Sequence, residues 1–183
     1  MGDLADILRR ANSQIERKLY FLGWLNKKLE ATGAKDFPVL VGGSAVALYT
    51  AGNYATQDID LTYGLIERIG NILLPEGFCK SGRYWVSEEL DLLVECPGST
   101  YPERITRVTL DDMVVYVSSV EDMIVNRLCA AVFWNSSSDE EWACILLETN
   151  EIDWGYLRKR ANEEDVTQRL DDILQEMKTD ERD

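Results

Sequence analysis

The stretch Phe37–Gly64, FPVLVGGSAVALYTAGNYATQDIDLTYG, decides how the rest of the chain is read. Val39-Leu40-Val41 has the short apolar character of a buried strand and runs into Gly42-Gly43-Ser44. Glycines let backbone N–H groups come close to a partner, and the first turn of a helix leaves such donors unpaired. A short apolar helix follows. Asp58-Ile59-Asp60-Leu61 then alternates polar with apolar, as a half-buried strand does. Ile59 and Leu61 can face a core while Asp58 and Asp60 share the other face, roughly 6.6–6.8 Å apart along the strand. Two carboxylates on one face repel and lose hydration, and a cation or a proton between them relieves both costs.

The composition removes several chemistries. The 183 residues include 33 acidic and 19 basic side chains, for a net charge of −14, and no histidine. Ser-His, Cys-His and histidine–metal schemes are therefore excluded. Cys79, Cys96, Cys129 and Cys144 have no CxxC spacing and read as reduced thiols of a cytosolic protein. The acidic balance argues against broad DNA binding, which needs Lys and Arg to displace counterions. It leaves room for a small anionic ligand beside a bound divalent cation, and for a basic protein partner. No apolar run approaches the roughly 20 residues that span a bilayer, so no membrane association and a soluble, cytoplasmic chain are expected.

Outward from the central stretch, Asp3 to Thr32 reads as one amphipathic helix, and Leu65 to Leu74 as a helix ended by Pro75 and Gly77. Arg83–Val86 and Leu90–Glu95 read as neighbouring strands broken at Pro97-Gly98-Ser99, and 105–110 with 113–118 as a hairpin around Asp111-Asp112. From Ser119 the pattern is helical: a helix capped by Ser119, then 139–149, then 153–161 capped by Asp153, then 166–177. The polar tail 178–183 is expected to fray. The expectation is an α+β protein with an α/β core and N-terminal helix over 1–118 and a C-terminal helical lobe over 119–183. A third carboxylate would complete a metal site for Mg²⁺ or Mn²⁺, which prefer oxygen ligands. Asp91, flanked by Leu90 and Leu92, is the first candidate, with Glu89 and Glu95 behind it. Taken alone, strand acids are usually solvent-facing, and the helical Trp134, Trp142 and Trp154 are usually packing residues.

Together, Val41-Gly42-Gly43-Ser44, Asp58-Ile59-Asp60-Leu61 and Leu90-Asp91-Leu92 resemble the nucleotidyltransferase superfamily with the polymerase-beta-like core. The segment VYVSSVEDMIVNRLCAAV resembles the strand–helix junction of its AbiEii-type and minimal nucleotidyltransferase group, with Arg127 near that group's lysine and NSSSDEEW in place of its basic stretch. The resemblance implies a small mixed sheet flanked by helices. It also implies metal-dependent transfer of a nucleoside monophosphate from an NTP to an acceptor, a small molecule, a protein or an RNA end, with release of pyrophosphate. Asp58, Asp60 and Asp91 would hold the metals and carry the catalysis. Gly42, Gly43, Ser44 and Arg127 would bind the nucleotide, with Arg83 or Lys80 neutralising phosphate charge. The alternative is a catalytically weak or inactive member of the fold acting as a binding or regulatory subunit, as in a toxin–antitoxin pair. A carboxylate-pair hydrolase is a third reading, without a substrate-binding signature to support it.

Overall fold

A computed structural model describes residues 2–180 of the chain, which divides into two units, Met1–Ser118 and Ser119–Asp183. The first unit runs α1 (Gly2–Leu8), α2 (Gln14–Ala31), β1 (Val39–Leu40), α3 (Gly42–Tyr49), β2 (Asp58–Thr62) and α4 (Ile66–Leu73). It continues with β3 (Cys79–Ser81), β4 (Tyr84–Ser87), β5 (Leu92–Gly98), β6 (Ile105–Leu110) and β7 (Met113–Ser118). The strands form one seven-stranded mixed sheet in the order β3-β4-β5-β2-β1-β7-β6. β2 pairs in parallel with β5 and antiparallel with β1, so the Asp-x-Asp strand lies inside the sheet. A strand in that position buries one face, and Ile59 and Leu61 are fully buried.

The single N-terminal helix expected from the apolar stripe is two helices. Ser13 caps α2: its hydroxyl accepts the Glu16 N–H at 3.2 Å, and the Glu16 carboxylate reaches back past the cap to accept the Asn12 N–H at 2.6 Å. The first bond satisfies a donor in the first turn of α2 and the second ties down the chain leading into it, so the two favour a new helix there over continuation of α1. From Lys18 to Asn26 every residue of α2 is buried, and Phe21 packs its ring near those of Trp24 and Phe78. α4 ends at Leu73 and a 3-10 turn with Pro75 follows it, closed by Gly77 at φ +87°. β3 carries no apolar alternation and was not foreseen; it is an exposed edge paired with β4. The hairpin of β6 and β7 turns at Asp111-Asp112, with Asp111 at φ +52°.

Gly70 on α4 allows the helix to lie against Trp85 of β4. A Cβ at that position would fall 2.7 Å from the Trp85 ring. Alanine improves helix propensity by roughly 1 kcal/mol, but overpacking a close contact costs roughly 1–3 kcal/mol. Gly70→Ala is therefore expected to lower stability, read as a lower urea midpoint, whereas Gly64→Ala, where nothing lies within 4 Å, should move it little.

The second unit contains α5 (Val120–Trp134), α6 (Ser137–Thr149), α7 (Trp154–Glu163) and α8 (Thr167–Asp180). Ser119 and Asp153 cap α5 and α7 by accepting the N–H groups of Asp122 and Tyr156. The unit packs on Leu128, Ala143, Leu146, Leu157, Ala161, Leu170 and Ile173, all fully buried. One polar knot crosses this core: the buried Asp122 carboxylate accepts from the Tyr156 hydroxyl at 3.0 Å and from Arg160 Nε at 3.1 Å. α8 runs to Asp180, so residues 178–180 of the expected frayed tail are helical, and 181–183 lie outside the described residues. Among the described residues, no helix is long and apolar enough to cross a membrane.

Candidate functional site

The site grows from the close approach of β2 to the first turn of α3. Gly42, at φ +58°, opens that helix, and a Cβ on it would lie 2.6 Å from Asp60 Oδ2. A Cβ on Gly43 would lie 2.9 Å from the Tyr54 ring. The glycine pair therefore admits the carboxylate and the ring, and the Gly43 and Ser44 N–H groups bond to Asp60. An anion at a helix start is favoured by the unpaired donors and the helix dipole. Gly42→Ala combines a clash with a left-handed backbone. It should cost roughly 1–3 kcal/mol in urea unfolding and weaken any Mn²⁺ binding measured alongside.

β5 supplies the third carboxylate. Its parallel register sets Leu93 opposite Asp58 and Glu95 opposite Asp60, with an irregularity between Asp60 and Thr62. Carboxylate oxygens of Asp58, Asp60 and Glu95 all lie within 4.8 Å of one another. Each is held: Asp58 accepts the Thr56 hydroxyl at 2.5 Å, Asp60 the two backbone donors, and Glu95 pairs with Arg83 at 2.9 Å. Burial, then the neighbouring charge of Asp58, pushes the Asp60 carboxyl above its ordinary range despite the backbone bonds that pull it down. Three clustered carboxylates fit a hard divalent cation, which prefers oxygen ligands and reverses the local charge balance.

Asp91, the first sequence candidate for that third acid, is not in this cluster. The strand starts at Leu92 instead of Leu90, and Asp91 lies in the preceding turn at φ +47°, exposed. Glu89 is also exposed and precedes the strand. The register of β5 on β2, set by non-local pairing, selects Glu95, the lower-ranked alternative.

Ser44 turns its side chain inward. Its fully buried hydroxyl donates to the Asp58 carbonyl at 2.6 Å and accepts from Lys18 Nζ at 3.2 Å, so it braces β2. Lys18 is the residue that the sequence reading missed. It is 6% exposed, and its ammonium also donates to the carbonyls of Thr56 at 2.9 Å and Asp58 at 2.7 Å. Burial lowers its pKa, while Asp58 and Asp60 act to raise it. The available signal was its position in α2: Lys18, Leu22, Leu25 and Leu29 follow helical spacing, which puts a lysine inside an apolar stripe.

The remaining basic candidates are engaged. Arg127, on α5 in the helical unit, pairs with Asp139 at the start of α6, both side chains largely buried. Arg83 is the exposed partner of Glu95, and Lys80 lies 5.2 Å over the Trp85 ring. The four cysteines are free, and burial pushes the Cys96 thiol up to about 11.

A mixed sheet that sets a Gly-Gly helix start against an Asp-x-Asp strand, with a third acid on the next strand, defines a nucleotidyltransferase-type core. A family model described as nucleotidyltransferase of unknown function (DUF6036) matches residues 22–181, and the chain belongs to that family. The structure is similar to the crystal structure of an antigenic nucleotidyltransferase-like protein from Paracoccidioides brasiliensis. The two share 16% identity over 93% of each chain with a TM-score of 0.53, a likeness of fold alone. No curated protein matches the sequence.

Proposed function

We propose that the protein is a metal-dependent nucleotidyltransferase that moves a nucleoside monophosphate from an NTP to an acceptor and releases pyrophosphate. The observation that carries this reading is the carboxylate cluster of Asp58, Asp60 and Glu95, set against the start of α3 in a chain of this family. Mg²⁺ or Mn²⁺ held by these acids would supply charge neutralisation and polarisation of the triphosphate. The chain's own contribution is orientation: Thr56 fixes Asp58, the Gly43 and Ser44 N–H groups fix Asp60, and Arg83 holds Glu95. Arg83, exposed and ion-paired to the cluster, is the cation best placed to exchange its carboxylate for a phosphate. Asp91 has no metal role in this scheme.

The test is nucleotide binding by the purified protein with and without Mn²⁺, followed calorimetrically. Mn²⁺-dependent ATP or GTP binding that disappears in Asp58→Asn/Asp60→Asn is expected. Failure of all four NTPs to bind at millimolar concentration with either metal would sink the proposal. A second reading, a catalytically weak member that works as a binding or regulatory subunit in the manner of a toxin–antitoxin pair, is favoured by one observation: Arg127 is paired with Asp139. It predicts a biological effect that survives the double asparagine variant.

A further inference from the structure

One cavity beside the acids has a lining that selects its ligand. It measures about 460 Å³ and is lined by Gln14, Gln57, Ser87, Glu88 and Asp91, together with Lys18, Thr56 and Leu93. It abuts the acid strand in two ways: Thr56 donates its hydroxyl to Asp58, and Leu93 is the cross-strand partner of Asp58. Its volume is in the range of pockets that enclose a small molecule. The wall carrying Glu88 and Asp91 is a fixed turn, because Arg17 on α2 donates to the Leu90 carbonyl at 2.6 Å and the Asp91 N–H bonds to the Glu88 carbonyl at 3.2 Å.

Besides the apolar Val86, Leu92 and Leu93, the lining offers two carboxylates, two carboxamides and the hydroxyls of Ser87 and Thr56. Its one cation, Lys18, directs its ammonium to Ser44 and to the Thr56 and Asp58 carbonyls, and the adjacent Arg17 serves the turn. Carboxylates can only accept hydrogen bonds, and they repel phosphate. A ligand rich in O–H and N–H⁺ donors satisfies such a surface, whereas a phosphorylated compound or a nucleic-acid end would leave anion facing anion.

We infer that this cavity receives the acceptor, and that the acceptor is a small amino alcohol or amino sugar. The identity of the cavity as an acceptor site rests on the nucleotidyltransferase reading above; the class of ligand rests on the lining alone. The same inference gives Asp91 a use: with Glu88 it binds the amine of the acceptor.

The experiment is saturation-transfer NMR on the full chain with glucosamine, ethanolamine, 2-deoxystreptamine and glucosamine 6-phosphate, and with a short single-stranded RNA. Mn²⁺ titration of the same samples reports on the Asp58–Asp60–Glu95 cluster. Saturable binding of at least one unphosphorylated amine, weakened at least about tenfold in Glu88→Gln/Asp91→Asn while Mn²⁺ binding is unchanged, is expected. Equal or tighter binding of glucosamine 6-phosphate or the RNA overturns the inference. So does binding unaffected by the double variant, or no binding of any unphosphorylated amine at millimolar concentration. If an amine binds through Glu88 and Asp91 but no NTP binds with Mn²⁺, the transferase reading falls and the ligand class stands. If NTP binds and no amine does, the ligand class falls alone.

Discussion

Asp60→Asn is expected to make the protein more stable at neutral pH and at the same time to abolish the Mn²⁺-dependent nucleotide binding proposed above. Without a cation the folded state must hold Asp60 charged, partly buried, within 4.8 Å of two other carboxylates. Two unit charges about 5 Å apart repel by roughly 1 kcal/mol in water and by roughly 3 kcal/mol at an effective dielectric of 20. Partial exposure of the site and the Lys18 ammonium reduce this, so a gain of about 1–2 kcal/mol is expected, or roughly 2–4 °C in Tm per kcal/mol for a chain of this size. Asparagine keeps an oxygen for the Gly43 and Ser44 N–H groups, which limits the loss.

The pH dependence has a definite sign. The folded-state pKa of Asp60 is raised above its ordinary value of 3.8, first by burial and then by Asp58. Above the folded pKa both states are ionised and the native state carries the full penalty. As pH falls through that pKa the native state takes up a proton first, and wild-type stability recovers until the unfolded chain also protonates. The advantage of Asp60→Asn should therefore be largest at neutral pH and shrink on acidification, measured by thermal melts in EDTA. Added Mn²⁺ should reverse the order by stabilising wild type and not the variant. A variant less stable than wild type at neutral pH in EDTA would show that the acids are not strained against one another.

Much of this site was legible because its features are local. Alternation at Asp58–Leu61 gives the strand and the shared face, and the glycine pair marks a close approach. The hairpin at Asp111-Asp112 and the helix starts at Ser119 and Asp153 depend on turn and cap chemistry within a few residues. The third acid did not follow in the same way. Asp91 and Glu95 have the same parity, so alternation assigns both to one face and cannot choose between them. The choice comes from the parallel pairing of β5 with β2, which sets Asp60 opposite Glu95 and turns Asp91 out before the strand starts. The role of Ser44 was hidden for a related reason: it depends on Lys18, 26 residues earlier, and no local pattern ties the two. The break between α1 and α2 was readable in Ser13 as a helix cap, but the apolar stripe runs through it and masks it.

Lys18→Met is expected to cost more stability than any other single change near the site, about 3 kcal/mol. Methionine fills similar space without donors, so the carbonyls of Thr56 and Asp58 and the Ser44 hydroxyl each lose a partner in a buried setting. Charge-assisted hydrogen bonds contribute roughly 1.5–3 kcal/mol each, and breaking a buried charged cluster from one side costs roughly 3–5 kcal/mol. Lys18→Arg should rescue little, because a planar guanidinium cannot direct three bonds from one compact centre. Two roles of the lysine can be separated by a double-mutant cycle with Asp60→Asn. If Lys18 only braces α2, α3 and β2 through hydrogen bonds, the two changes will add, with Asp60→Asn contributing the same gain in either background. If its charge also offsets the carboxylates, removing it leaves the acids uncompensated, and Asp60→Asn will then restore more stability in the Lys18→Met background than in wild type. Close charged groups couple by roughly 0.5–3 kcal/mol, and about 1 kcal/mol is expected here, read from urea unfolding in EDTA. Strict additivity would restrict Lys18 to bracing and would leave the charge balance of the site to whatever cation it binds.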